Sequence, residues 1–258
     1  MKPVLFLHVP KTSGTSLKLF FKKRIDRFYV QANSRHQLAQ ADPFLGRVKD
    51  LDDIVRVLET HSGLALHVDS DFEAVHETSS FRSLAWLLFE PENRRVFERY
   101  TILTMLREPF SRFLSESAFI EMKQETDDTF LPDTMVTGLA AHLERTAENG
   151  ALQFLLAREF SRRSTLTDRD LDQVKALIVE FPIHVGIYER YGESIRYFSR
   201  LLGHDFSEDE LPSYNVVSKK PPVPAGVEQA FRERNRLDCE LYDFAVETFE
   251  QRVAELAI

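Results

Sequence analysis

Residues 4–17 read VLFLHVPKTSGTSL, an apolar run that passes through a turn into a segment with helical spacing. The run from Val4 to Val9 is typical of a buried strand, and residues 10–14 are typical of a tight loop. Residues 15–23 then place apolar side chains at helical intervals. A strand that leads directly into a helix is the first half of a βαβ unit, so this stretch predicts a parallel sheet.

A second strand–loop–helix unit follows in the middle of the chain. Residues 100–106 predict an interior strand, Arg107-Glu108-Pro109 ends it, and residues 110–123 resume a helical pattern. Further strands are predicted at 28–30, 64–68 and 184–187, and further helices at 51–58, 151–160, 168–180, 191–202 and 227–256. Residues 31–50 are interpreted as loop, and residues 124–150 as a polar segment with scattered turn formers. We expect one P-loop-like α/β domain over residues 1–258, with a central parallel sheet flanked by helices and a helical insertion at about 120–182.

The composition excludes several classes of function. The net charge is −8 at pH 7, which supplies no general basic face, so we expect no nucleic-acid partner. Cys239 is the only cysteine and therefore has no internal disulfide partner. The apolar run from Val4 to Val9 is too short for a signal peptide or a membrane span, and no later segment approaches the length of a span. We therefore expect a cytoplasmic protein.

The loop at residues 10–16 has the side chains of an anion-binding site. A loop that precedes a helix presents unpaired backbone N–H groups and the positive end of the helix dipole. This loop adds one cation, four hydroxyls and a glycine that permits close approach of a ligand oxygen: Lys11, Thr12, Ser13, Gly14, Thr15 and Ser16. The lysine precedes the glycine, unlike the order G-x-x-x-x-G-K-[ST] of the triphosphate P-loop. The alternative interpretation is an ordinary capped turn, since Ser and Thr favour helix starts.

Residues 6–17, FLHVPKTSGTSL, resemble the 5′-phosphosulfate-binding loop of sulfotransferases that use 3′-phosphoadenosine 5′-phosphosulfate (PAPS). The resemblance is greatest to the carbohydrate enzymes of the heparan-sulfate 2-O type and their soluble bacterial relatives. It implies that residues 11–16 bind PAPS and that adenosine 3′,5′-bisphosphate (PAP) is the product. The family binds the 3′-phosphate through an Arg at a strand end and a Ser in the next helix, which Arg107 and Ser115 match in LREPFSRFLS, residues 106–115.

Three weaker likenesses extend the resemblance along the chain. Residues 149–156 resemble a helix start near the acceptor, and Tyr188, in GIYERY, resembles a residue near the adenine; core packing is the alternative for Tyr188. Residues 211–220, LPSYNVVSKK, resemble the loop that closes over the cofactor, which predicts a lid at about 211–224 with Lys219 and Lys220. A solvated charge pair is the alternative interpretation of these lysines. Residues 31–60 and 120–147 match nothing in the family, and we expect acceptor choice to depend on them.

Transfer of a sulfuryl group to an alcohol requires a base for the hydroxyl proton. The resemblance implies a base histidine at the end of the strand after the first helical segment, which makes His67 the first candidate. The family often has Gly before this His, where the chain has Leu66, whereas Gly63 lies beside His61, the second candidate. A structural histidine is the alternative at a strand end. The remaining histidines are interpreted as structural or surface residues: His8, His36, His76, His142, His184 and His204.

The sequence therefore predicts a metal-independent sulfotransferase that acts on a hydroxyl of an acceptor such as a glycan or small metabolite. Lys11 is expected to contact the bridging oxygen of the phosphosulfate as its charge develops. One alternative is a P-loop-like phosphotransferase, for which Glu108 is the only acid near the second loop. The other is a catalytically silent nucleotide-binding module. Ser111 and Arg112 are interpreted as surface residues of the helix, with Arg112 paired to Glu116; the oligomeric state stays open.

Overall fold

The computed structural model describes residues 2–30, 55–56, 59, 62–67, 98–126, 138–156, 165–181, 183–204 and 222–256. Within these residues five strands form one sheet in the order β2-β3-β1-β4-β5, and every neighbouring pair is parallel. The strands are β1 (Val4–His8), β2 (Phe28–Val30), β3 (Gly63–His67), β4 (Thr101–Leu106) and β5 (Ile183–Ile187). The predicted α/β fold with a central parallel sheet is thereby confirmed.

Helices connect and flank these strands. Their bounds are α1 (Gly14–Arg24), α2 (Pro109–Thr126), α3 (Leu139–Arg145), α4 (Gly150–Leu155), α5 (Asp168–Glu180), α6 (Tyr191–Leu202), α7 (Val227–Arg234) and α8 (Arg236–Glu255). A 3₁₀ turn, Tyr188–Arg190, joins β5 to α6. Helices α3, α4 and α5 come between the second strand–loop–helix unit and β5 in the chain, within the predicted helical insertion. None of the described helices is long and apolar enough to cross a membrane.

The strand β1 lies in the middle of the sheet, which explains its unbroken apolar sequence. All five of its residues are buried, as expected for a parallel strand covered by helices on both faces. Its neighbour β4 supplies Thr104, whose buried hydroxyl donates a hydrogen bond to the carbonyl oxygen of Leu7, 2.9 Å away. After β1 the chain builds β2 and β3 on one side, and it then crosses to β4 and β5 on the other. The carboxyl ends of β1 and β4 therefore flank the position where open parallel sheets bind ligands.

The C-terminal segment differs from the prediction of one helix over residues 227–256. It forms two helices, α7 and α8, which meet at Asn235, where φ is −112° and ψ is 34°. The Asn235 side-chain oxygen accepts the N–H of Asn149 at 2.7 Å, and the Asn149 side-chain oxygen accepts the N–H of Asp238 at 3.2 Å. These buried hydrogen bonds tie the junction to the start of α4, and the apolar spacing on which the prediction rested contains no sign of them.

Helix α3 lies in the segment that was interpreted as polar with turn formers. Leu139 and Leu143 are buried against Phe113 and Phe231, in a cluster where α2, α3 and α7 meet. The His142 ring stacks on Phe113 with 5.0 Å between ring centroids, which agrees with its interpretation as a structural histidine. The spacing of Leu139 and Leu143 is a helical signal too short to stand out among the polar residues around it. The predicted helix at residues 51–58 and the predicted loop at residues 31–50 lie outside the described residues in whole or in large part.

Candidate functional site

The loop between β1 and α1 has an unusual backbone. Lys11 and Ser13 both lie in the left-handed region, with φ of 66° and 67°, which is uncommon for residues other than glycine. Such conformations persist where surrounding contacts enforce them, and they are concentrated at functional sites. Thr12 lies between them, fully buried, and its hydroxyl donates to the carbonyl oxygen of Val9 at 2.7 Å. The Thr12 side chain therefore stabilises the loop conformation through a buried hydrogen bond.

Gly14 opens α1 and packs directly against the imidazole of His8. A Cβ atom at residue 14 would lie 1.6 Å from Cδ2 and 2.0 Å from Nε2 of this buried ring. The sequence predicted that Gly14 admits a ligand oxygen; the structure adds a second requirement, since any larger residue would displace His8. Ser16 is buried in the first turn of α1, and the Thr15 side chain lies outside the described residues.

Arg107 follows β4 and reaches across to the first loop. Its Nη1 donates to the carbonyl oxygen of Lys11 at 3.3 Å, and its Nε donates to the hydroxyl oxygen of Ser111 at 3.0 Å. The Cζ of the guanidinium lies 4.2 Å from the ring centroid of Tyr188, in cation–π contact. The structure thus brings together Lys11, Arg107 and Tyr188, three predicted site residues from three separate segments of the chain.

One face of α2 continues from this cluster. Ser111, Ser115 and Phe119 follow Arg107 at intervals of four residues, so that they lie along one side of the helix. Ser115 is half-buried on this face. The Lys11 ammonium lies 3.7 Å from the centroid of the Phe119 ring. The first loop and this face of α2 therefore enclose the same region. Ser111, interpreted from the sequence as a surface residue, is half-buried on this face, and Phe119 was not among the predicted site residues.

Tyr188 and Tyr191 lie on the β5 side of this region. The ring centroids of Tyr188 and Tyr191 are 6.2 Å apart, and both half-buried side chains also pack against the main core. Burial raises the pKa of Tyr191, and the Ser13 side chain, in the first loop, counteracts part of the rise. The sequence predicted Tyr191 only as the start of a helix, although GIYERY places it three residues after Tyr188.

Three predicted residues lie outside what the structure describes: His61, Lys219 and Lys220. His67 is the last residue of β3 and pairs in register with His8 of β1. Its backbone therefore lies at the sheet edge from which the loop at residues 10–13 emerges. The structure does not describe the direction of the His67 side chain, so its role as the base stays a prediction.

Glu108 connects the second loop to the C-terminal helices. Its Oε2 accepts the N–H of Ser111 at 2.6 Å, and its Oε1 lies 3.1 Å from Nη1 of Arg232. Its own N–H donates to Oε1 of Glu189 at 3.1 Å, and Oε2 of Glu189 accepts the hydroxyl of Tyr242 at 2.8 Å. The loop that carries Arg107 is thus fixed to the end of β5, to α7 and to α8.

Arg112 pairs with Glu116 as predicted, with 3.7 Å between Nη1 and Oε2, but the pair is not on the surface. Arg112 is 6% exposed, and its Nη2 lies 3.9 Å from Oδ2 of the buried Asp238. The surface interpretation of Arg112 was therefore wrong, because α8 covers it. Burial raises the pKa of Asp238, whereas Arg112 and the N–H groups of Ala151 and Leu152, which donate to its oxygens at 2.9 and 2.8 Å, lower it.

Comparison with known proteins identifies the class. The sequence profile of the Sulfotransferase family matches residues 2–245, so the chain belongs to the sulfotransferase family and is a transferase of sulfuryl groups. A sulfotransferase from Alicyclobacillus acidocaldarius is similar over 100% of both chains, with 15% identity and a TM-score of 0.44. Mouse sulfotransferase SULT7A1 complexed with PAP is similar over 99% of this chain and 82% of that chain, with 13% identity and a TM-score of 0.44. The search of curated proteins found no match.

Proposed function

We propose that the protein transfers the sulfuryl group of PAPS to a hydroxyl of a glycan or small metabolite and releases PAP. The observation that carries this proposal is the meeting of Lys11, Arg107 and Tyr188 at the sheet edge between β1 and β4. Membership of the sulfotransferase family supports it. The resemblance of residues 6–17 to the phosphosulfate-binding loop, greatest to enzymes of the heparan-sulfate 2-O type, supports it as well.

The residues at this edge fit a nucleotide that carries acidic groups at two positions. The loop at residues 10–16, with its lysine and the N-terminus of α1, suits the 5′-phosphosulfate. Arg107 and Ser115, on the next strand–loop–helix unit, suit the 3′-phosphate, since a guanidinium forms bidentate contacts with phosphate. The aromatic ring of Tyr188, beside Arg107, suits the adenine. The two cationic residues are joined through the Lys11 carbonyl, which fixes the spacing of the two half-sites.

The proposed chemistry assigns each residue a separate task. PAPS supplies an activated sulfuryl group, and its transfer breaks the sulfur–oxygen bond to the 5′-phosphate and forms one to the acceptor oxygen. Lys11 and the N-terminus of α1 stabilise the negative charge that develops on the leaving phosphate. His67, with His61 as the second candidate, takes the hydroxyl proton of the acceptor. The resemblance to the family assigns the loop at about 211–224, with Lys219 and Lys220, to covering the nucleotide.

The contacts of Glu108 weigh against the phosphotransferase alternative. A kinase-like reaction requires an acid that binds Mg²⁺ beside the phosphates. One Glu108 oxygen accepts the Ser111 N–H and the other pairs with Arg232, so this carboxylate serves the loop rather than an open metal site. The sulfotransferase proposal needs no such acid.

Calorimetric titration with PAP tests the proposal, with 5′-AMP as the ligand that lacks the 3′-phosphate. We expect micromolar binding of PAP, and binding at least roughly tenfold weaker for 5′-AMP, because one charged pair is lost. Arg107→Ala should weaken the binding of PAP by a similar factor and leave the affinity for 5′-AMP unchanged. Arg169→Ala, an exposed arginine on α5, is the matched control and should bind both ligands like the wild type. A wild type that binds neither nucleotide, or that prefers ATP with Mg²⁺, would contradict the proposal.

A further inference from the structure

Arg107 is held on three sides before any ligand arrives. The Ser111 hydroxyl oxygen accepts its Nε–H, the Lys11 carbonyl oxygen accepts one Nη1–H, and the Tyr188 ring covers one face of the guanidinium. An arginine side chain has many rotamers, and fixing one of them costs conformational entropy when a ligand has to do it. Groups that fix the rotamer in advance remove this cost from binding.

Ser111 contributes the most specific of these three contacts. Its hydroxyl oxygen accepts the Nε–H, so Nη1 and Nη2 lie on the side of the guanidinium away from Ser111. The N–H groups there that the Lys11 carbonyl does not accept are suited to a phosphate. The backbone of Ser111 is fixed in turn, because its N–H donates to Oε2 of Glu108 at 2.6 Å and Glu108 pairs with Arg232. The orientation of the guanidinium is therefore fixed by the first turn of α2, which Glu108 in turn holds in place.

We propose that Ser111 is a positioning residue that orients Arg107, and thereby sets how strongly the site prefers a nucleotide with a 3′-phosphate over one without it. This inference rests on the proposed function, in which Arg107 contacts the 3′-phosphate. In this role Ser111 acts on nucleotide binding only through Arg107, which distinguishes it from Ser115, four residues further along the same face.

Titration of Ser111→Ala with PAP and with 5′-AMP tests the inference. We expect the dissociation constant for PAP to rise roughly fivefold to tenfold, in keeping with the net contribution of one typical hydrogen bond, and that for 5′-AMP to stay unchanged. Ser111→Thr retains the hydroxyl and should restore the preference to within about twofold. Ser117→Ala is the matched control, a buried serine of the same helix that is not on the Arg107 face.

A double-mutant cycle keeps the inference testable if Ser111→Ala also loosens the helix. In an Arg107→Ala background the Ser111→Ala change should have no further effect on PAP binding, because the group that it positions is gone. Equal weakening of PAP and 5′-AMP, or the same effect of Ser111→Ala with and without Arg107, would overturn the role of Ser111. A wild type that does not distinguish the two nucleotides would instead overturn the proposed function itself.

Discussion

Arg107 and Arg112 lie five residues apart in the sequence, but their surroundings differ in charge. Arg112 is buried beside the carboxylates of Glu116 and Asp238. Arg107, among the described residues, contacts only neutral groups: the Ser111 hydroxyl, the Lys11 carbonyl and the Tyr188 ring. Each guanidinium is held in place, but only the charge of Arg112 is balanced by carboxylates next to it.

This difference separates a structural cation from one suited to a ligand. A buried ion pair with further hydrogen bonds is compensated within the protein, and it ties together the elements that contribute its members. A guanidinium held by neutral groups keeps its positive potential at the sheet edge, where an anion gains the full interaction. We therefore interpret Arg112 as a residue of the fold and Arg107 as a residue of the binding site.

Arg112→Ala gives the largest expected effect and tests the structural side of this comparison. It leaves Asp238 buried without its cationic partner, which should lower the free energy of unfolding by about 3–5 kcal/mol. Arg107→Ala should lower it by less than about 1 kcal/mol, since the half-buried side chain has no carboxylate partner among the described residues. Urea denaturation of both variants measures the contrast. Equal destabilisation by the two substitutions would remove the distinction between the two arginines.

Lys11→Ala tests the binding side of the comparison through turnover. If Lys11 stabilises charge on the leaving phosphate, kcat should fall roughly 100-fold or more, with a much smaller change in the dissociation constant for PAP. The matched control is Lys175→Ala, since the Lys175 ammonium also lies near an aromatic ring, 5.6 Å from the Phe244 centroid, on α5. It should leave kcat unchanged. Equal losses in turnover and in PAP affinity would show that Lys11 only binds.

Protonation of His184 has the smallest expected effect on stability. It extends the comparison to a side chain that the fold keeps neutral. Burial, with Arg252 as a further cause, lowers the pKa of His184 to about 4, and its Nδ1 lies 2.6 Å from the Tyr197 hydroxyl. In the unfolded chain this histidine has a pKa near 6.5, so between about pH 4 and pH 6.5 the unfolded chain binds more protons than the folded protein. The free energy of unfolding should therefore decrease as the pH falls from about 6.5 to about 4. The imidazole is partly exposed, so we expect a loss of about 2 kcal/mol.

His184→Asn retains an acceptor for Tyr197 but does not titrate. Urea denaturation across this pH range should therefore give a flatter profile for the variant than for the wild type. An unchanged pH dependence in the variant would assign the acid sensitivity to other groups.

The sheet and the first loop were predictable because their signals are local. The central strand β1 is an unbroken apolar run, and the order of strand, loop and helix in residues 4–17 alone predicts a parallel unit. The resemblance to the family predicted Arg107 and Ser115 as site residues, because their spacing in the second strand–loop–helix unit matches that of the family. These features depend on neighbours in sequence, and the structure places the corresponding strands, β1 and β4, side by side.

What the sequence did not reveal depends on tertiary contacts. The helix break at Asn235 arises from hydrogen bonds to Asn149, 86 residues away, and Arg112 is buried because α8 passes over it. Ser111 and Phe119 share the face of α2 with Ser115, a spacing that was visible, but only the structure shows Arg107 and Lys11 turned toward them. No pattern in one segment encodes which distant segment will cover it.

A crystal structure of the protein with PAP tests the central claim most directly. The account predicts the 5′-phosphate in the loop at residues 10–16, and the 3′-phosphate within hydrogen-bonding distance of Arg107 and Ser115, with Arg107 still bonded to Ser111. A nucleotide bound away from the sheet edge between β1 and β4, or bound there without contact to Arg107, would contradict it.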